Sequence, residues 1–148
     1  YDQLGYFVSG ERENALMTAV IPYLKTLSAD ELLDVAAYYS ESSASVGQAD
    51  SNADLLALGE SLYRAGDLNR GIPACTACHS LYGEGNIQAG FPKISGQQKG
   101  YLISTLKEYR SQSRNAGNYA LVMQAASANL KDDDIEALAN YMHGLYRK

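Results

Sequence analysis

Two thiols and an imidazole stand together in the run Cys75-Thr76-Ala77-Cys78-His79, and no other stretch of the chain gathers as much reactive chemistry. C-x-x-C-H is the attachment signature for a c-type haem. Each thiol adds across one vinyl group, and the two-residue spacing lets both reach the same porphyrin edge from a single turn of chain. His79 follows at once and is placed under the iron, where its imidazole is the proximal axial ligand.

Three other readings compete for these residues. A C-x-x-C pair can be a thioredoxin-like redox disulfide, but that motif opens a helix in a βαβ setting, and no Val/Ile-rich strand precedes Cys75. Structural zinc wants four ligands, commonly two of them from a second pair, and beyond these three the chain offers only His143 and no further cysteine. Chance would have to bring together the only two cysteines in 148 residues. Haem attachment accounts for all three side chains at once.

The elements that must position this motif read as helices. Leu4, Phe7 and Val8 fall at helical spacing, and residues 1–40 read as helical. Ser28-Ala29-Asp30-Glu31 is a capping-box pattern, followed by an apolar stripe of Leu32, Val35, Ala36 and Tyr39. Residues 41–52 turn to Ser, Ala, Gly, Gln and Asp without an apolar period and read as an interdomain linker. Leu55, Leu58 and Leu62 then mark a helix with Ser51 or Asn52 as N-cap and Gly66 as its stop, which delivers the chain to Cys75. Beyond His79 the loops Gly83-Glu84-Gly85-Asn86 and Gly90-Phe91-Pro92 supply positions without side chains, as a chain wrapped around a flat porphyrin requires. Tyr101, Leu102, Thr105, Leu106 and Tyr109 define the next apolar face. A last helix starts near Asp132 to Asp134, buries Ile135, Leu138, Ala139 and Met142, and ends on Arg147-Lys148, cations suited to its C-terminus. The fold class is therefore all-α.

Composition narrows the function. With 46% hydrophobic residues the chain can bury one sizeable core or two small ones. Its longest mostly apolar stretch, Ala15 to Leu24, contains Thr18 and Pro22 and falls far short of the ~20 residues of a spanning helix. The net charge of -5 excludes nucleic acid, which demands a basic footprint. The whole imbalance lies in residues 1–49, where seven acids face only Arg12 and Lys25. Such asymmetry orients a molecule as it approaches a partner, although a solvated helix face would carry the same charges.

The two ends of the chain resemble each other. Leu27 to Leu32, with Val35, Ala36 and Tyr38, matches Leu130 to Ile135, with Leu138, Ala139 and Tyr141, at the same offsets. Upstream, Leu4, Phe7 and Arg12 match Leu106, Tyr109 and Arg114. Self-similarity of this kind indicates duplicated domains, yet nothing before Tyr1 corresponds to the stretch that carries C-x-x-C-H in the second copy. Residues 1–40 are thus expected to be the C-terminal half of an N-terminal haem domain, 41–52 a linker and 53–148 a complete domain. A degenerate, haem-free first domain is the alternative.

Taken together, Ser45 to Asp50, Gly71 to Ser80, Gly83-Glu84-Gly85, Gly90 to Gln97 and Asp134 to Leu138 resemble the cytochrome c4 class, two-domain, two-haem members of the class I cytochromes c. The resemblance covers residues 50–148 and the tail of a first domain. It implies the class I cytochrome c fold and a methionine as sixth ligand, for which Met123 stands before the last helix; its thioether favours ferrous iron and fills the site that would bind oxygen or peroxide. Core packing is the other use of Met123. Met17 is the corresponding candidate in the first domain, although it lies five residues after Arg12 where Met123 lies nine after Arg114. The resemblance also implies that the Pro92 carbonyl takes the hydrogen of the proximal histidine, and it places Tyr101 and Gln97 near the haem edge or its propionates.

The function implied is electron transfer through haem c with His79 and Met123 as axial ligands, and no transformed substrate. One haem c belongs to this C-x-x-C-H, and a second is expected if the full N-terminal domain is present. The implied partners are a cytochrome bc complex as donor and a cbb3-type terminal oxidase as acceptor. The implied location is the periplasm, with the signal already removed and peripheral membrane association left open. A haem enzyme or ligand sensor with an open sixth position, or a fixed haem subunit docked through residues 1–40, are the alternatives.

Overall fold

The computed structural model describes residues 1–42 and 47–146. Ser45 and Val46 of the linker and the terminal Arg147-Lys148 lie outside the described residues. Eight α-helices and two 3-10 turns form among the described residues, and there is no strand beyond two isolated bridges. The chain folds around two separate apolar clusters.

The smaller cluster is built from α1 (Asp2–Ser9), α2 (Ile21–Leu24) and α3 (Ala29–Glu41). Phe7, Leu24 and Leu32 are its buried centre, with Leu4, Val8, Met17, Ile21 and Leu27 around them. The expected helical run over 1–40 is broken between Ser9 and Ile21, where Gly10 takes a left-handed φ of 81° that ends α1. At the start of α3 the capping box is present: Ser28 N–H donates to Glu31 at 2.7 Å and Glu31 N–H donates to Ser28 Oγ at 3.3 Å. The expected stripe is corrected at Tyr39, which is 72% exposed and stacks edge-on with Tyr38 instead.

The larger cluster is held by α4 (Ala53–Ala65), α6 (Lys99–Arg110), α7 (Ala120–Ser127) and α8 (Asp132–His143). Asn52 caps α4 and Gly66 ends it, as the residues predict. The buried face of α4 differs from the expected leucine stripe: Leu58 is exposed, whereas Gly59, Leu62 and Tyr63 are buried. The reason lies in α8, which crosses α4 at Gly59 so closely that a Cβ there would collide with the carbonyl of Ala137. In α8 Ile135, Leu138, Ala139 and Met142 are buried as expected, joined by Asn140 and Tyr141. Asp132 to Asp134 open α8 as expected, but Asp134 is also buried: it is 4% exposed and takes two hydrogen bonds from Arg70, at 2.7 and 3.1 Å.

The second half of the linker is tied down. Asp50 donates its N–H to Asn140 Oδ1 at 2.8 Å and accepts from Asn140 Nδ2 at 3.3 Å. The two clusters meet through Arg12, which donates to Gln3 within its own unit and to Tyr101 on α6, and Arg114 reaches back to the same Gln3 and Tyr101.

Candidate haem site

Cys75 opens a single helical turn, α5 (Thr76–His79), closed by His79 N–H donating to Cys75 O at 2.9 Å. That turn sets the spacing of Cys75, Cys78 and His79 through its own local hydrogen bonds. What fixes the imidazole is the chain beyond it. Ser80 adopts a left-handed φ of 68°, and its carbonyl is held by the Tyr63 hydroxyl at 2.7 Å. The His79 carbonyl takes the N–H of Gly85 at 3.0 Å. Gly85 must be glycine, since its φ is 76° and a Cβ would press on the backbone of Phe91 and Pro92.

The loop that faces His79 is a rigid turn. Asn86 and Phe91 exchange backbone hydrogen bonds at 2.8 and 2.9 Å around the 3-10 turn Ile87–Ala89, with Asn86 Oδ1 capping Ala89 N–H. This turn presents the Pro92 carbonyl to His79 Nδ1 at 2.9 Å. A backbone carbonyl only accepts, so Nδ1 is the protonated nitrogen and Nε2 keeps its lone pair. Burial lowers the pKa of His79, with the bond to Pro92 opposing it. At 7% exposure the ring is a neutral imidazole, the form that binds a metal.

Asp67–Ile72 is built on the same plan as Asn86–Phe91, nineteen residues earlier: a side-chain cap, a 3-10 turn, a left-handed glycine, a bridge, and then Pro73 in place of Pro92. The twin turns flank C-x-x-C-H on either side. The pattern Asp/Asn, aliphatic, two residues, Gly, apolar, Pro recurs in both copies.

Cys75 and Cys78 form no disulfide with each other, and burial pushes the Cys75 thiol up to about 11. Cys75 and Met123 pack against the same apolar cluster. Met123 lies mid-way along α7, a helix the sequence reading did not foresee. Met17 packs on the other cluster, apart from the C-x-x-C-H turn. Tyr101 is 38% exposed, and its hydroxyl accepts from Arg12 and Arg114. Gln97 gives its carbonyl to His143 Nδ1 at 2.8 Å. Two residues not singled out as site residues from the sequence complete the surroundings: Phe91, whose ring centre is 6.4 Å from that of His79, and Tyr119, 5.7 Å from Phe91 in a T-shaped contact.

This donor set suits haem c. Two uncombined thiols stand one turn apart, the imidazole offers Nε2 because Nδ1 is engaged, and a thioether lies on the same core. A family model described as Cytochrome c matches residues 56–145. The chain belongs to the cytochrome c family. Within that family it is 43% identical over 123 residues to cytochrome c4 of Stutzerimonas stutzeri, covering 83% of this chain and 58% of that protein. To cytochrome c4 of Pseudomonas aeruginosa it is 40% identical over 137 residues, covering 93% and 66%. The crystal structure of reduced recombinant cytochrome c4 from Pseudomonas stutzeri superposes with a TM-score of 0.83 at 41% identity, over 91% of this chain and 68% of that one. The chain therefore spans 58% and 66% of the length of these two curated relatives. The class I cytochrome c fold expected from the resemblance is the fold observed, and one haem c goes with its C-x-x-C-H.

Proposed function

We propose that this chain is an electron carrier of the cytochrome c4 type, with Cys75 and Cys78 anchoring haem c and His79 and Met123 as the axial pair. The bound haem supplies a one-electron ferric/ferrous couple. The residues' contribution is to hold it. Pro92 fixes the proximal ring through Nδ1, and Tyr63 and Gly85 hold the backbone on either side of that ring. The observation that carries the reading is the hydrogen bond from His79 Nδ1 to Pro92 O, because it commits one nitrogen and leaves the other for iron. The carrier transforms no substrate.

Residues 1–40 would be the C-terminal half of a preceding haem domain, 41–52 the link and 53–148 the complete domain. The internal repeat supports this. On α8 the face of Ala137 and Tyr141 is covered by α4, whereas the matching Tyr38 of α3 is 69% exposed. A helix equivalent to α4, leading to a second C-x-x-C-H, would cover that face, and Met17 would then be its distal ligand.

Among the described residues every ion pair lies within the second unit, whereas the acids of the first have no ion-pair partner. That unpaired charge suits transient docking to redox partners. A cytochrome bc complex as donor and a cbb3-type oxidase as acceptor, in the periplasm, fit such a carrier. No helix among the described residues is long and apolar enough to cross a membrane.

A pyridine haemochrome assay with intact mass tests the reading by counting covalent haems per chain. The ferric protein is expected to show the weak near-infrared band of methionine ligation and to bind cyanide slowly. Loss of that band together with rapid uptake of cyanide or carbon monoxide would favour a haem enzyme or sensor instead.

A further inference from the structure

The Met123-bearing helix is poorly secured by its own sequence. α7 is only eight residues long and no side chain caps its N-terminus, and a helix that short does not hold together in water without tertiary contacts. Its first residue outside, Tyr119, supplies one. The Tyr119 ring meets the Phe91 ring edge-on at 5.7 Å. It also lies on Gly90, where an added Cβ would come within 2.6 Å of the ring, at a left-handed φ of 77° that already favours glycine. Phe91 and Gly90 belong to the turn that presents Pro92 to His79, and the Tyr119 carbonyl accepts the N–H of Met123 at 3.2 Å. A single side chain thus joins the loop that orients the imidazole to the helix turn that carries the thioether.

We infer that Tyr119 is a positioning residue for Met123: by clasping α7 to the Gly90-Phe91 turn it keeps the sulfur on ferric iron. The inference rests on Met123 being the sixth ligand. The clasp works through the ring and leaves the hydroxyl unused, and it sits at the surface, 49% exposed, within a stretch from Asn115 to Leu130 that has no charged side chain. With haem c bound, opening it would release the Met123 sulfur from iron without change of oxidation state, and an external anion such as cyanide would take that position.

Stopped-flow cyanide binding to the ferric holoprotein reads the clasp directly. Tyr119→Leu, which keeps bulk but loses the aromatic edge, is expected to bind cyanide about tenfold faster, the equivalent of about 1.4 kcal/mol of lost closure. Tyr119→Phe retains the ring and stays within about twofold of wild type, since the edge contact is aromatic. Leu121→Ala, an exposed change on the same helix, leaves the rate where it was. Phe91→Leu removes the other ring and gives the same rise, and the double variant Phe91→Leu/Tyr119→Leu adds nothing further, because the two report one contact. Haem content per chain stays at the wild-type value throughout. A Tyr119→Leu rate equal to wild type, or additive effects in the double variant, would overturn the inference. Absence of the methionine band from the wild-type protein would instead remove Met123 as ligand, and the clasp with it.

Discussion

Arg12 Nη2 donates to the Tyr101 hydroxyl at 3.1 Å across 89 positions of sequence, and this bond joins two units that otherwise have separate cores. Arg114, the repeat partner of Arg12, donates to the same hydroxyl at 3.3 Å, and each guanidinium lies over an aromatic ring of its own unit, Phe7 at 4.6 Å and Tyr109 at 4.9 Å. The two halves of the repeat therefore make the same stacking contact and share two acceptors, the Tyr101 hydroxyl and Gln3 Oε1. Burial raises the Tyr101 pKa, but the hydrogen bonds from Arg114 and Arg12 outweigh it and hold the phenol below its usual range.

Tyr101→Phe keeps the ring and removes the acceptor. Hydrogen bonds to charged donors are each worth about 1.5–3 kcal/mol, and the partial exposure of Tyr101 puts the loss at the low end. Urea unfolding of the variant should show a fall of about 1.5 kcal/mol. Arg12→Met, which keeps the stem over Phe7, should lose a similar amount, and the pair together little more than either alone.

Asp134 predicts a pH dependence. Burial raises its pKa, but the paired hydrogen bonds from Arg70 and the bond from Lys131 N–H prevail, so the folded carboxyl titrates below the ordinary 3.8. A carboxyl depressed in the folded state stabilises fully above its unfolded value, and that contribution is lost as pH falls through the folded one. Asp134→Asn should cost about 1.5–3 kcal/mol at neutral pH and make the acid limb of stability below about pH 4 shallower. Circular dichroism melts between neutral and acid pH measure both.

Asn140 is 1% exposed and spends both ends of its amide on the backbone of Asp50. Asn140→Ala removes both hydrogen bonds to the Asp50 backbone, at about 1–3 kcal/mol for the pair. It should also free the chain ahead of α4, so limited proteolysis in the stretch 42–52 is expected to accelerate relative to wild type. Equal cleavage rates would mean that the strap is held by other contacts.

The motif, the capping box at Ser28 and Glu31, and the buried stripe of α8 could be read from residue types because each depends on neighbours within a turn or two of chain. Tyr63, Phe91 and Tyr119 could not. Their contribution comes from contacts with Ser80, His79 and Gly90 that only the folded chain brings together. Asp134 reads as a helix-start acid because its partner Arg70 is 64 positions away. The stretch 41–52 reads as a linker by composition, and what ties down its second half comes from the far end of the chain: Asn140 by hydrogen bonds, and His143 and Gly144 by close approach to Gly47 and Ala49. Leu58 misleads for a related reason: a leucine at helical spacing signals a core face, but the core face of α4 is set by how closely α8 approaches.

That approach supports the final prediction, at Gly59. Replacing a helix-interior glycine by alanine ordinarily stabilises by about 1 kcal/mol through propensity. At Gly59 the added methyl would collide with the carbonyl of Ala137 and press on the Cβ of Tyr141, at 2.9 Å. These are atoms at the backbone of α8, not the ends of flexible side chains, so relief requires the two helices to part. Overpacking of this kind costs about 1–3 kcal/mol, and here separation also loosens Tyr63, which stacks on Tyr141 at 5.3 Å and holds the Ser80 carbonyl beside His79. Gly59→Ala should therefore destabilise by about 2 kcal/mol or more in denaturant titrations, against the sign of helix propensity. A stabilised Gly59→Ala variant would show that α4 and α8 are free to separate without loss.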